Sequence, residues 1–184
     1  MKKIKLKTPL SLNDVKALKA GDQVLISGII YTGRDAAHLR MIKSLDAGEP
    51  LPFEVDGQVI YYVGPTPAKP GEVIGSCGPT TSYRMDDLTV PLLERGLRGM
   101  IGKGERNDVV IEGMKNNGAL YFAAIGGAGA LIANSVKSSE IVAYEDLGPE
   151  AIRKLEVEDF PVIVVIDSEG HNLYDSEREK YAKV

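Results

Sequence analysis

Three short segments of this chain carry side chains that could hold an acid and take a proton from it. The first is Thr32-Gly33-Arg34-Asp35-Ala36-Ala37-His38. An apolar run ends there, a glycine turns the chain, and a helix begins with Asp35 near its cap. A cation at such a junction can face a ligand approaching the helix N-terminus, where free amides and the helix dipole favour anions. The alternative is that Arg34 pairs with a nearby acid and Asp35 only caps the helix. The second segment is Gly75-Ser76-Cys77-Gly78-Pro79-Thr80-Thr81-Ser82-Tyr83-Arg84-Met85-Asp86. Pro79 suits a first helical turn, and Thr80, Thr81 and Ser82 are each good caps. A helix starting at Thr80 or just after places Thr80 and Arg84 on one face. A hydroxyl beside a guanidinium at a helix start is a carboxylate site, and the cation favours deprotonation. The third is Ile101-Gly102-Lys103-Gly104-Glu105-Arg106-Asn107. Flanking glycines give Lys103 little backbone bulk and its ammonium room to reach a ligand; the alternative is a solvated surface lysine. The glycine spacing is not that of a P-loop.

Other features read as structural. His38 is one of two histidines and has no second candidate metal ligand near it. Ala124-Ile125-Gly126-Gly127-Ala128-Gly129-Ala130 follows a strand-like run and precedes a helix, but it does not complete the dinucleotide fingerprint, so a tight turn with close packing is expected. No Gly-x-Ser-x-Gly elbow and no Cys–His nucleophile pair is present. One cysteine, Cys77, and two distant histidines cannot alone build a zinc or iron–sulfur site, so no metal is expected on this chain.

The elements that must position these residues alternate. Strand-like runs are Gln23–Tyr31, Val59–Val63, Gly99–Gly102, Ala119–Ala124, Glu140–Tyr144 and Pro161–Asp167. Helical patterns cover Asn13–Lys19 after a Ser11 cap, Asp35–Leu45 with Ala36, Leu39 and Ile42 as its stripe, Thr81–Arg95 with Met85, Leu88, Leu92 and Leu93, then Asn107–Asn116 and Glu150–Leu155. The pattern is that of an α/β domain. Gly64–Gly78, holding Pro65, Pro67 and Pro70 among its glycines, is a loop. Loops of that length in compact domains tend to be functional or disordered.

Composition narrows the function classes. A chain of 184 residues, 43% hydrophobic and 26% charged, fits one domain with at most a short appendage. Its net charge of −4 offers no basic footprint for nucleic acid. The basic start Met1–Lys7 is followed by Thr8-Pro9-Leu10-Ser11, not by the apolar core of a signal peptide. The weakly polar run Gly118–Ala133 is short of the roughly 20 residues of a membrane span and is interrupted by glycines. A lone cysteine agrees with a reducing cytoplasm.

Taken together, Gly-Arg-Asp-Ala-Ala-His (33–38), Gly-Pro-Thr-Thr-Ser-Tyr-Arg-Met-Asp (78–86) and Gly-Lys-Gly (102–104) resemble, in order and separation, the C-terminal region of class I fumarases and the beta subunit of L-tartrate dehydratases. The resemblance runs from about Thr8 to Gly170, and the Gly-Pro-Thr-Thr…Arg-Met segment is its most specific part. It implies a swivelling β/β/α domain over residues 1–170, with a mixed sheet or small open barrel and flanking helices, followed by a charged tail, 171–184, that packs at the periphery or frays. It also implies a partner: a cysteine-rich alpha subunit holding a [4Fe–4S] cluster, with one iron open to substrate. By the same carry-over Arg34, Arg84 and Lys103 bind the substrate's carboxylates and hydroxyl, and Thr80 is the proton-abstracting residue. The reaction implied is hydration of fumarate to L-malate or dehydration of L-tartrate to oxaloacetate, by a cytoplasmic hetero-oligomer. The chain lacks the cluster domain of single-chain fumarases, and its start at Met1 fits a natural separate subunit. The competing class is a swivelling domain used as a binding or regulatory module.

Overall fold

The computed structural model describes residues 3–124 and 129–181, with side chains of the final helix described to residue 178. Residues 125–128, the middle of the glycine-rich segment considered above, lie outside the described residues. Among the described residues the strands are β1 Ile4–Lys7, β2 Gln23–Thr32, β3 Val59–Tyr61, β4 Gly99–Gly102, β5 Leu120–Ala124, β6 Val136–Ala143 and β7 Ile152–Ile166. The α-helices are α1 Leu12–Ala17, α2 Asp35–Asp46, α3 Asp86–Leu93, α4 Asp108–Asn117, α5 Gly129–Ser135 and α6 Leu173–Tyr181.

Period-two alternation builds the sheet. Val59, Tyr61 and Val63 join Val24, Ile26, Ile30, Ile101, Leu120, Phe122, Val162 and Val164 in one buried cluster. The alternate residues Ile60, Tyr62, Met100 and Tyr121 join the buried faces of α2, α3 and α4 in a second. The sheet is mixed. β1 to β5 pair in parallel with their chain neighbours, and the 15-residue β7 runs antiparallel to β5, β6 and β2. Because β7 also pairs with β2, the strands β2-β3-β4-β5-β7 close into a barrel, so the ring is complete where an open one was a possibility. A bulge between Ile26 and Gly28 bends β2 between its two sets of partners. Gly28 has φ of 111°, and its backbone is pressed against Thr8. The first cluster therefore fills the barrel, and the second lies between the barrel wall and its helices.

Helix ends follow local chemistry. Ser11 and Asp14 form a reciprocal capping box on α1, and the Asn107 side chain accepts the Val110 N–H on α4. Three expectations need correcting. Glu150–Leu155 is not a helix: Ile152, Leu155 and Val157 face the core as β7. Thr81–Arg95 is a 3₁₀ turn, Ser82–Met85, that passes into α3. The buried face of α2 is Ala37, His38 and Met41, whereas Leu39 is 47% exposed. The charged tail contains α6, whose Leu173 and Tyr174 pack against the helix-side cluster.

The crossovers from β2 to β3, β3 to β4 and β4 to β5 each carry a helix on the outer face, α2, α3 and α4 in turn. The carboxyl ends of β2, β3, β4 and β5 therefore gather on one rim, the usual place for a ligand in parallel α/β sheets.

Candidate active site

The rim is tied together by backbone bonds. The Gly33 N–H donates to the Tyr61 carbonyl at 3.0 Å, and the Tyr62 N–H donates to Ile101 at 2.8 Å. Beyond that point the segment Thr80–Ser82 joins the ends of β3 and β4. The Thr80 N–H donates to Tyr62 at 2.7 Å, the Ser82 N–H donates to Lys103 at 2.9 Å, and Thr81 bridges Lys103 in parallel. All four residues singled out by sequence therefore belong to one rim. Arg34 follows β2, Thr80 and Arg84 lie on the segment joined to β3 and β4, and Lys103 follows β4.

The helical spacing expected between Thr80 and Arg84 does not exist. Thr80 lies before the 3₁₀ turn with its N–H on the Tyr62 carbonyl, and the next residue, Thr81, is extended and bridges Lys103. Capping does not explain the hydroxyls either. Thr81, at the N-cap of the turn, makes no side-chain cap bond, and the Ser82 Oγ pairs with the Tyr121 hydroxyl at 2.8 Å. Thr80 is half-buried and Lys103 exposed.

Arg34 occupies the N-cap of α2 in extended conformation without capping it. Glu150 supplies the cap from the far side, its Oε1 accepting the Ala36 N–H at 3.2 Å. The Arg34 side chain crosses Gly64, where a Cβ would stand 2.9 Å from Nη1. Its Nε lies 3.9 Å from both Asp35 Oδ2 and Glu150 Oε1. The Arg84 Nε donates to Asp35 Oδ1 at 2.8 Å. Both arginines thus gather about one carboxylate, and the acid-pairing alternative for Arg34 describes part of its surroundings.

Beneath the rim lie residues that sequence did not single out. Arg106 is buried, its Nε donating to Asp86 Oδ1 at 2.6 Å and its Nη atoms reaching the Tyr62 hydroxyl and Thr89 Oγ1. Its guanidinium stacks on the rings of Tyr62 and Tyr121. Asp86 Oδ2 accepts the Asn107 N–H, and the Tyr121 hydroxyl donates to the Gly104 carbonyl. These bonds brace the Arg84 segment against the Lys103 segment. In sequence Asp86 passes for an ordinary helix-start acid and Arg106 for a loop cation, and no periodicity marks them. His38 is fully buried, with Nδ1 on the Arg34 carbonyl at 2.8 Å. Burial holds its pKa at about 4, with Arg106 lowering it further and the Arg34 carbonyl and Asp35 opposing, so the ring is neutral near pH 7 and holds the backbone of Arg34.

An iron–sulfur cluster, which the resemblance brings into view, does not fit the residues of this chain. Cys77 is its sole cysteine. The thiol is buried against the Gly75 carbonyl, and burial pushes its pKa up to about 11, with Arg153 pulling the other way. A thiolate is what iron requires. Among the described residues the one group of three potential metal ligands is Asp167, Glu169 and His171, which offers no sulfur. Its Asp167 carboxylate already accepts from Ala20, Glu169 and His171.

Parallel strands ending on a rim of cations and hydroxyls define an α/β barrel domain suited to a small anionic ligand. The chain belongs to the Fumarase C-terminus family, whose model matches residues 1–177. It is 41% identical to a protein of Methanocaldococcus jannaschii provisionally named L(+)-tartrate dehydratase subunit beta, over 93% of this chain and 91% of that protein. It is 37% identical to the aerobic class I fumarate hydratase of Salmonella typhimurium, over 94% of this chain but 30% of that protein. It is also 37% identical to fumarate hydratase 2 of Leishmania major, over 94% of this chain and 31% of that protein. The chain therefore spans about a third of the length of these fumarate hydratases. Among the described residues no helix is long and apolar enough to cross a membrane.

Proposed function

We propose that this chain is the beta subunit of a two-subunit [4Fe–4S] hydro-lyase acting on a dicarboxylate, fumarate with L-malate or L-tartrate with oxaloacetate. The observation that carries this reading is the gathering of Arg34, Thr80, Arg84 and Lys103 on one strand-end rim, in a chain that covers nearly all of a relative provisionally named a tartrate dehydratase beta subunit. Removing a proton α to a carboxylate builds charge on that carboxylate, and fixed cations stabilise it. Arg34 and Arg84 bind the two carboxylates, where a guanidinium fork matches carboxylate geometry. Lys103, exposed at the end of β4, reaches the hydroxyl or the developing charge. Thr80 takes the proton, a role open to a hydroxyl whose pKa is lowered by adjacent cations. The cluster is held by a cysteine-rich alpha subunit, since this chain supplies no thiolate. The lone buried cysteine suits the reducing cytoplasm.

Anaerobic reconstitution with a cysteine-rich partner, assayed against malate, fumarate and both tartrates, tests the reading. Turnover should require both proteins and favour one substrate pair. Hydration of fumarate by this chain alone, or a reconstituted pair inert toward all four acids, would overturn it.

A further inference from the structure

A site for dianions that keeps a carboxylate of its own between its two arginines needs an explanation. Asp35 is that carboxylate. Its Oδ1 accepts from the Arg84 Nε at 2.8 Å, and its Oδ2 lies 3.9 Å from the Arg34 Nε. Both ion pairs engage the Nε edge of a guanidinium, not its Nη end. Arg84 remains 43% exposed, and no bond from its Nη atoms is seen among the described residues. The Arg34 Nε and Asp35 Oδ2 are both buried and without a hydrogen-bond partner, although they lie near one another. A buried donor and acceptor left apart carry a cost that is removed if they close to about 2.9 Å. Asp35 also opens α2, where the helix dipole favours its charge, and Glu150 fixes the same turn through the Ala36 N–H.

We propose that Asp35 is a positioning residue for the hydro-lyase site: it holds Arg84, and on ligand binding Arg34, by their Nε edges, so that the Nη ends of both are turned toward the two carboxylates of the substrate. The inference rests on the proposed function, which assigns the substrate class. An Arg84 without this tether keeps its charge but loses its direction, so ground-state and transition-state binding weaken together.

Two measurements on Asp35→Asn, Asp35→Ala and Asp35→Glu test it, with wild type and Arg84→Ala as references. In the reconstituted enzyme, Asp35→Asn should raise KM for the dicarboxylate about 10- to 100-fold, with kcat within about threefold. Asp35→Glu, which restores the charge, should recover part of that loss. A KM unchanged or lowered in Asp35→Asn, while Arg84→Ala is impaired, would overturn the positioning role and leave the proposed function standing. In the isolated chain, the Arg84 Nε–H should give a protected NMR signal that disappears in Asp35→Ala, which leaves no side-chain acceptor, with the backbone spectrum reporting the fold. A signal that persists in a folded Asp35→Ala chain would overturn the inference even if the wild-type pair proved inert, an outcome that would count against the proposed function instead. If Asp35→Asn or Asp35→Ala fails to fold, Asp35→Glu decides: its side chain is one methylene longer, so a shifted Arg84 signal supports the tether and an unaltered one refutes it.

Discussion

In the proposed function Thr80, a weak acid, loses a proton, and its neighbourhood decides whether that is feasible. Its backbone is fixed by the Tyr62 carbonyl, and it belongs to the same short segment as Arg84. If the hydroxyl acts in the transition state, Thr80→Val should lower kcat by about 10²–10⁴ with little change in KM; a kcat within threefold would move the base to the partner. His38 makes a second residue-scale prediction. Burial lowers its pKa to about 4, against 6.5 in an unfolded chain, with Arg106 adding to the depression and the Arg34 carbonyl and Asp35 opposing it. Between those values the unfolded chain binds the extra proton, so this contribution is complete above pH 6.5 and is lost as pH falls toward 4, by about 3 kcal/mol in all. Urea unfolding from pH 7.5 to 4 should show that loss in wild type and a flatter profile in His38→Gln; parallel profiles would remove His38 from the account. The four rim residues were legible in sequence because glycines and hydroxyls frame them. Asp35 was visible only as a cap, since nothing local shows that Arg84 reaches it.

At the scale of elements, the strand Gln23–Thr32 was legible from its partial alternation, and Gly99–Gly102 as a short apolar run between glycines. Sequence failed where tertiary pairing overrides local pattern. Ile152 and Leu155, three apart with charged residues between them, satisfy helical spacing, yet with Val157 they form β7 because β2 and β6 flank that strand on both edges. The segment before α3 looked like one helix, but pairing of Thr80–Ser82 with β3 and β4 holds its start extended. The brace beneath these segments was invisible, since Asp86 and Arg106 meet only in the fold. Removing one partner of a buried ion pair leaves the other charge uncompensated. Asp86→Asn should therefore destabilise the isolated chain by about 3–5 kcal/mol in urea unfolding and raise proteolysis around Lys103. A loss below 1 kcal/mol would mean that the Tyr62 and Tyr121 rings and Thr89 suffice to hold Arg106.

At the scale of the whole molecule, the proposed function has a second subunit close over the rim. α2, the 3₁₀ turn and α4 all begin at the strand ends that carry the cations, and each exposes a large apolar side chain near its start. Leu39 is 47% exposed, Tyr83 65% and Val109 66%. Scattered surface apolar residues need no explanation, but Tyr83 adjoins Arg84 in the chain, where on the proposed function a partner closing over the substrate would meet it. An interface of this kind concentrates its energy in buried aromatic anchors. Tyr83, next to Arg84, is the anchor to test. Tyr83→Glu should leave the isolated chain folded, with unfolding midpoint within about 0.5 kcal/mol of wild type as for an exposed site. Its binding to the cysteine-rich subunit, followed anaerobically by calorimetry, should weaken at least tenfold, and turnover at low protein concentration should fall in step. Saturating the variant with partner should then recover most of kcat, because the defect lies in assembly and not in the chemistry at Thr80. Binding as tight as wild type would place the partner on another face and leave Tyr83 as an ordinary exposed ring.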